Sequence, residues 1–281
     1  MTLGELIERT ERRLRAARLH YGHGTDNPRD EAAFIVLRGH RLPFDADLSR
    51  PADARRIEPL VRQRIEKRLP AAYVLREAWL DGCPFYVDRR VIVPRSHIAF
   101  LFRELTLRPR RILDVCTGSG CLAILAARAW PHAHVDACDI SAAALAVARR
   151  NVRKHRLEDR VRLMRADLLD GTGVYDLIVC NPPYVSTPSM RKLPAEYRHE
   201  PGIALAGGRD GLQFVSRILD AAPAHLRARG LLLCEVGENR KALERAYPRL
   251  AFTWMRDEVF VLPRARMAGA SRSGSTRAPA A

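Results

Sequence analysis

The stretch Ile112-Leu-Asp-Val-Cys-Thr-Gly-Ser-Gly-Cys121 runs from an apolar strand, through a turn holding Gly118 and Gly120, into a helix from Ser119. Glycines there let the backbone bend tightly and approach a ligand with no Cβ in the way. The next apolar run, Val135–Ile140, carries Asp139 near its end, 19 residues past Gly120. A carboxylate at that point can accept both hydroxyls of a ribose. A dinucleotide fingerprint would need a third glycine where Ala123 or Ile124 stands, and no Lys-Ser or Lys-Thr follows to hold a triphosphate. The pattern fits a nucleoside cofactor and leaves its identity open.

Downstream the texture repeats, with a helix from Ser141 and strands at Val161–Ala166 and Tyr175–Cys180. A helix at Leu212–Arg227, a strand at Leu231–Val236 and a short helix at Lys241–Tyr247 follow. Strands alternating with helices predict a parallel, doubly wound α/β sheet. Phe252–Trp254 and Val259–Leu262 are too close for a crossover helix, so an antiparallel hairpin should edge the sheet, making seven strands. Upstream, residues 1–75 read as helices, with Leu3, Leu6, Ile7, Leu14 and Leu19 at helical spacings and Pro43 and Pro51 as breaks. Trp79–Pro94 reads as a β-hairpin around Asp81–Gly82. The expected organisation is a helical, substrate-facing domain at 1–75, a hairpin linker at 76–97 and the α/β domain at 98–263. A disordered basic tail, 264–281, holds Arg264, Arg266, Arg272 and Arg277.

Of 281 residues, 47% are apolar and 28% charged, enough for a substantial core. No apolar run approaches the length of a transmembrane helix, and the opening MTLGELIERTERR lacks the apolar stretch of a signal peptide. Six scattered cysteines without C-x-x-C spacing point to reduced thiols and a cytoplasmic protein. Charge is the loudest feature: 48 basic residues against 32 acidic ones give a net +16, and all but four of the basic ones are Arg. Such a surface attracts polyanions, RNA foremost. A coding bias toward Arg explains the count equally well.

Asn181-Pro182-Pro183-Tyr184 ends the strand Tyr175–Cys180, at the carboxyl edge where such sheets bind ligands. Pro182 and Pro183 lack N–H groups and fix φ, so the loop's carbonyls can be held toward a pocket. The side-chain carbonyl of Asn181 and the backbone carbonyl of Pro182 supply two acceptors, matching the two donors of one NH₂ group. Tyr184 can lie against the planar face beside it. Pulling on both hydrogens favours the pyramidal nitrogen of an alkylation transition state. A nucleoside loop with this tetrapeptide indicates methyl transfer from S-adenosylmethionine to a planar NH₂.

On these motifs the chain resembles the N5-glutamine methyltransferases, the PrmB/HemK-like family of class I methyltransferases, from about Tyr73 to Leu262. Val93-Pro94-Arg95-Ser96, Cys116-Thr-Gly-Ser-Gly-Cys121 and Leu193-Pro-Ala-Glu-Tyr-Arg-His-Glu-Pro201 place it nearest the PrmB branch, which acts on large-subunit ribosomal protein three. The release-factor branch usually has Pro-Arg-Pro and a glycine where Cys116 stands. The resemblance implies a Rossmann-like seven-stranded class I fold, S-adenosyl-L-methionine as cofactor and a ribosomal protein as substrate. By the same resemblance, Asp114, Thr117, Gly118, Ser119, Gly120 and Cys121 line the cofactor, Asp139 its ribose, and Asp167 its adenine, with Leu168 nearby. Asn181, Pro182, Pro183 and Tyr184 hold the substrate amide, Asn181 bordering the cofactor as well. Phe100 stands where the family commonly has Glu, and Glu104 is the expected replacement one turn on.

Arg95, after a proline in a short loop, either closes the substrate pocket or is solvated. Glu196, His199 and Glu200 read as a lid after the Asn-Pro-Pro-Tyr loop. His132 and His134 form an H-x-H with no third ligand, so no metal is expected. Trp79 and Trp130 read as packing. Release-factor glutamine methylation stays the alternative within the family, and two other classes stay open: an exocyclic-amine methyltransferase acting on RNA or DNA, and a non-catalytic RNA-binding factor on the same scaffold.

Overall fold

The computed structural model describes residues 1–267. The chain divides into two compact units, Met1–Arg95 with Leu193–Pro201, and Ser96–Lys192 with Gly202 onward. The first unit holds α1 (Leu3–Ala16), α2 (Pro28–Gly39), α3 (Ala54–Glu66), α4 (Ala71–Leu75), β1 (Ala78–Leu80) and β2 (Cys83–Phe85). Thr2 and Glu5 close a capping box at the start of α1, and Asn27 caps α2 ahead of Pro28. Leu3, Ile7 and Leu14 from α1 bury against Ile35 of α2 and Ile57 and Val61 of α3. Asp81 and Gly82 both take positive φ, 48° and 72°, as a two-residue hairpin turn requires. The hairpin is shorter than the sequence suggests. Val87, Val91 and Val93 are buried without belonging to a strand.

The second unit holds α5 (Ile98–Leu101), β3 (Arg111–Val115), α6 (Cys121–Ala129), β4 (His134–Asp139), α7 (Ala142–Lys154), β5 (Val161–Arg165) and β6 (Tyr175–Cys180). Then come α8 (Thr187–Met190), α9 (Gln213–His225), β7 (Leu226–Glu235), α10 (Arg240–Ala246), β8 (Thr253–Arg256) and β9 (Val259–Pro263). Its seven strands lie in the order β5-β4-β3-β6-β7-β9-β8. The first five are parallel, and β9 and β8 form the antiparallel edge. That is the class I methyltransferase fold expected from the sequence.

Differences in detail have local causes. The helix after the first glycine loop starts at Cys121 rather than Ser119, because Gly118 and Gly120 both sit at positive φ, 54° and 80°, outside helical geometry. Strand β7 begins at Leu226, directly after α9, and its pairing with β6 is irregular between Tyr175 and Leu177. Exposed Arg227 and Arg229 break the apolar run there, hiding the strand's first half from a hydrophobic reading. Residues 264–267, expected in a disordered tail, instead form a 3₁₀ turn and a buried end. Arg264 Nε donates to the Pro223 carbonyl at 2.8 Å, and Met267 joins the core. Arg272 and Arg277 lie outside the described residues. Among the described residues, no helix is long and apolar enough to cross a membrane.

Candidate active site

Parallel register brings the site together. Val115 of β3 pairs with Cys138 of β4 and Cys180 of β6, and Cys180 pairs with Cys234 of β7. The next residue on each path is Asp139, Cys116, Asn181 and Glu235 in turn, a row along the carboxyl edge of the sheet. The chain leaves β3 toward β4 on one side and β6 toward β7 on the other. The sheet therefore has its switch point between β3 and β6, where such folds open a ligand crevice. The glycine loop borders it from β3 and Asn181 from β6.

The loop is held by carboxylates from beneath and from the side. Asp114 is buried, and one carboxylate oxygen accepts from the Thr117 hydroxyl at 2.5 Å and from the Ala123 N–H at 3.0 Å. Burial, opposed by those two donors, pushes its carboxyl up to about 7. Asp139 Oδ2 accepts from Gly118 N and Oδ1 from Ser141 N, each at 2.9 Å. Burial raises the Asp139 carboxyl, against the pull of these N–H groups. Asn151 of α7 donates to the Ser119 carbonyl at 2.8 Å. Ala148 approaches so closely that a Cβ on Gly120 would lie 3.2 Å from its own. Cys121 opens α6 as a buried thiol, held protonated by burial, which pushes it up to about 12.

A nucleoside-bearing sulfonium cofactor fits this loop. Within the described residues, Asp114 Oδ1 is buried with no hydrogen-bond partner, an acceptor matched to an ammonium donor. A Cβ on Gly118 would meet nothing nearer than the Cys116 carbonyl at 4.0 Å, so that face of the loop is open. Backbone N–H groups of Gly118, Ser141 and Ile140 hold the Asp139 carboxylate, whose four lone-pair sites leave room to accept from a ribose hydroxyl.

On the far side of the crevice, Pro182 and Pro183 are buried, and Asn181 and Tyr184 are partly exposed. Tyr184 is gripped from several directions. Asn239 Nδ2 donates to its carbonyl at 2.7 Å, and its hydroxyl lies 3.3 Å from Glu235 Oε1. A Cβ on Gly237 would sit 2.5 Å from the Tyr184 ring, and one on Gly211 2.5 Å from its carbonyl oxygen. Both glycines take positive φ as well. The sequence reading missed Glu235, Gly237 and Asn239. The available signal was a carboxylate closing the apolar run Leu231–Cys234, just as Asp139 closes its own strand.

Other anticipated residues have partners of their own within the chain. Asp167 lies two residues past β5 and pairs with Arg217 at 2.8 Å. Leu168 takes φ 55° and is buried in the core of the second unit. Phe100 is exposed, and Glu104 pairs with Arg256 at 2.9 Å. Arg95 belongs to the first unit, where its guanidinium grips both oxygens of Glu200 at 2.6 and 2.8 Å and lies over Tyr197. Partly exposed, it ties its loop to Glu200 within the first unit. The segment expected as a lid, Leu193–Pro201, is likewise part of the first unit. Glu196 is buried against the Arg64 and Arg68 guanidiniums and the His20 N–H, and His199 Nε2 contacts the Lys67 carbonyl at 2.8 Å. Glu200 also accepts from the Val93 N–H at 2.9 Å. His134 opens β4, and no three potential metal ligands converge among the described residues.

Residues 98–194 match the methyltransferase small domain family. Across 95% of this chain and 96% of its own length, the ribosomal protein uL3 glutamine methyltransferase of Bordetella pertussis is 48% identical. The proteins of that name from Neisseria meningitidis serogroup B and Burkholderia pseudomallei are each 44% identical, over 95% and 90% of this chain and 95% and 90% of theirs. The chain belongs to the N5-glutamine methyltransferase family. It is an enzyme, and in this methyltransferase Asp139, Cys116, Asn181 and Glu235 stand in a row along the carboxyl edge of the sheet.

Proposed function

We propose that this chain methylates the side-chain nitrogen of a glutamine in ribosomal protein uL3, with S-adenosyl-L-methionine as cofactor. The observation that carries the reaction is the placement of Asn181 one strand from the glycine loop, across the switch point. The name shared by relatives over nearly the whole chain supports the substrate. When bound, the cofactor supplies a methyl group on a positively charged sulfur. Asn181 Oδ1 and the Pro182 carbonyl accept the two hydrogens of the glutamine NH₂, draw the nitrogen out of conjugation and aim its lone pair. Tyr184 supplies a wall for the amide plane. The nitrogen sheds its extra proton after transfer, so no strong base is required in the crevice. Asp114, Thr117, Gly118, Ser119, Gly120 and Cys121 form the cofactor loop in this reading, and Asp139 holds the ribose.

Asp139→Ala is expected to weaken cofactor binding by about 1–3 kcal/mol, the value of a buried acceptor lost from its donors. Titration calorimetry showing wild-type affinity in that variant removes the ribose assignment. The substrate is tested by labelled methyl transfer to uL3, a release factor and RNA in parallel. Label confined to a uL3 glutamine is the expected result; label on either of the others overturns the substrate.

The charge suggests where the substrate is met, and the cytoplasm is the compartment this reading calls for. A net +16 enzyme is repelled by a basic ribosomal protein and attracted to the same protein when it is bound to RNA. Initial rates should therefore be higher on an RNA-containing ribosome precursor than on free uL3, with the advantage shrinking as salt rises. Equal rates at low salt count against the precursor.

A further inference from the structure

The motif Pro94-Arg95-Ser96 is split between roles, and the reaction outlined above uses none of them. Arg95 is tied to Glu200 within the first unit, whereas Ser96 starts the second unit and turns its hydroxyl to Glu235. Glu235 Oε2 accepts from Ser96 Oγ at 2.6 Å and from the His97 N–H at 3.0 Å. Oε1 is left to face the Tyr184 hydroxyl at 3.3 Å. The carboxylate is almost wholly buried, at 2% exposure. Burying a carboxylate is costly, and a site of purely structural use would be better filled by an apolar side chain. The contact with Tyr184 is long for a hydroxyl donor, so the ring's place depends equally on Gly237 and Asn239. All three belong to one pentapeptide, Glu235-Val-Gly-Glu-Asn239, that leaves the end of β7.

We propose that Glu235 is a positioning residue for methyl transfer, acting through Tyr184. The Ser96 hydroxyl and the His97 N–H orient its carboxylate, its second oxygen turns the Tyr184 hydroxyl proton inward, and the ring face is thereby set for the substrate amide. This rests on the reading that Tyr184 lines the amide pocket. The acceptor-only character of the carboxylate is what matters. A glutamine at this position would give its one oxygen to the His97 N–H, which can only donate, and would turn its NH₂ toward Tyr184. The hydrogen bond to the tyrosine would reverse, and the fold around it would survive.

Glu235→Gln is therefore the informative variant, with Tyr184→Phe and the double variant completing a cycle, all in the full chain. Ring-¹³C tyrosine NMR reads the effect without turnover. The Tyr184 signal, assigned by its loss in Tyr184→Phe, should shift in Glu235→Gln while the other tyrosine signals hold. In methyl-transfer assays, Glu235→Gln and Tyr184→Phe should each lower kcat by about three- to tenfold, the worth of one hydrogen bond. The double variant should be no slower than the slower single one. Cofactor affinity should stay within about twofold, because no direct contact with the cofactor loop is changed. An unmoved Tyr184 signal overturns the proposal, and so do losses that multiply in the double variant. A wild-type enzyme inactive on uL3 would instead fell the substrate assignment, and the NMR arm would still decide the role of Glu235. Should Glu235→Gln fail to fold, Ser96→Ala frees the carboxylate from the other side, and an unshifted Tyr184 signal there has the same overturning force.

Discussion

Asn181→Ala is expected to lower turnover by about a hundred- to a thousandfold while cofactor binding survives largely intact. Losses of that size follow removal of one preorganised polar contact that acts on the transition state. Asn181 follows β6 directly, and its neighbours Pro182 and Pro183 are buried, so the position of its side chain is inherited from a central strand. Its side chain is partly exposed, so its truncation opens no large cavity in the core. The expected pattern is thus lower kcat with little change in melting temperature. Steady-state kinetics and calorimetry on the same preparation separate the two effects. Near-normal kcat in Asn181→Ala would place the grip on the amide elsewhere.

Truncating Arg64 is expected to be the most destabilising change in the helical unit, by about 3–5 kcal/mol. Arg64 is fully buried. Its Nε donates to Glu31 at 2.6 Å, one terminal nitrogen donates to the His20 carbonyl at 2.8 Å, and the other lies 3.5 Å from Glu196. Arg64→Met would leave two buried carboxylates near one another, with Arg68, on the rim, to balance them among the described residues. Burial already raises the Glu31 carboxyl despite the adjacent guanidinium. Burial also opposes ionisation of Glu196, but the His20 N–H together with Arg68 and Arg64 outweighs it and lowers that carboxyl. Without Arg64 both carboxyls rise. A carboxyl raised on folding adds stability below its unfolded value and loses it as pH rises through its folded value. The deficit of Arg64→Met should therefore be largest above neutrality and shrink toward pH 5. Urea denaturation at two pH values reads this directly. A deficit below about 1 kcal/mol at pH 8 would mean that the cluster relaxes around the gap.

The seven strands were legible because a parallel sheet buried on both faces writes its strands as unbroken apolar runs. Leu177–Cys180 and Leu231–Cys234 are such runs, and the polar or charged residue closing each one marks the carboxyl edge. Asp139 and Asn181 were found in this way. Glu235 obeys the same rule but carries no motif around it. Strand β7 was legible only from Leu231, because alternating exposed arginines precede it. The nine residues Leu193–Pro201 were the hardest to place. Their polarity resembles that of a lid, and the partners that bury Glu196 and Glu200 are Arg64 and Arg95, each more than a hundred positions away. No local pattern carries that information. Glu104 illustrates the same limit, since Arg256 claims it from far along the chain.

The return of Leu193–Pro201 to the first unit also sets a schedule for synthesis. When residue 95 leaves the ribosome, the helical unit has its apolar core, but Arg64 still lacks Glu196, and Arg95 and the Val93 N–H lack Glu200. Those carboxylates emerge after about a hundred further residues, roughly 5–20 s later at ordinary elongation rates. By then the strands that flank the glycine loop and Asn181 have been made as well. The first unit is thus completed only after β6 of the second has been made, and a chain released between residues 95 and 201 ends with neither of them complete.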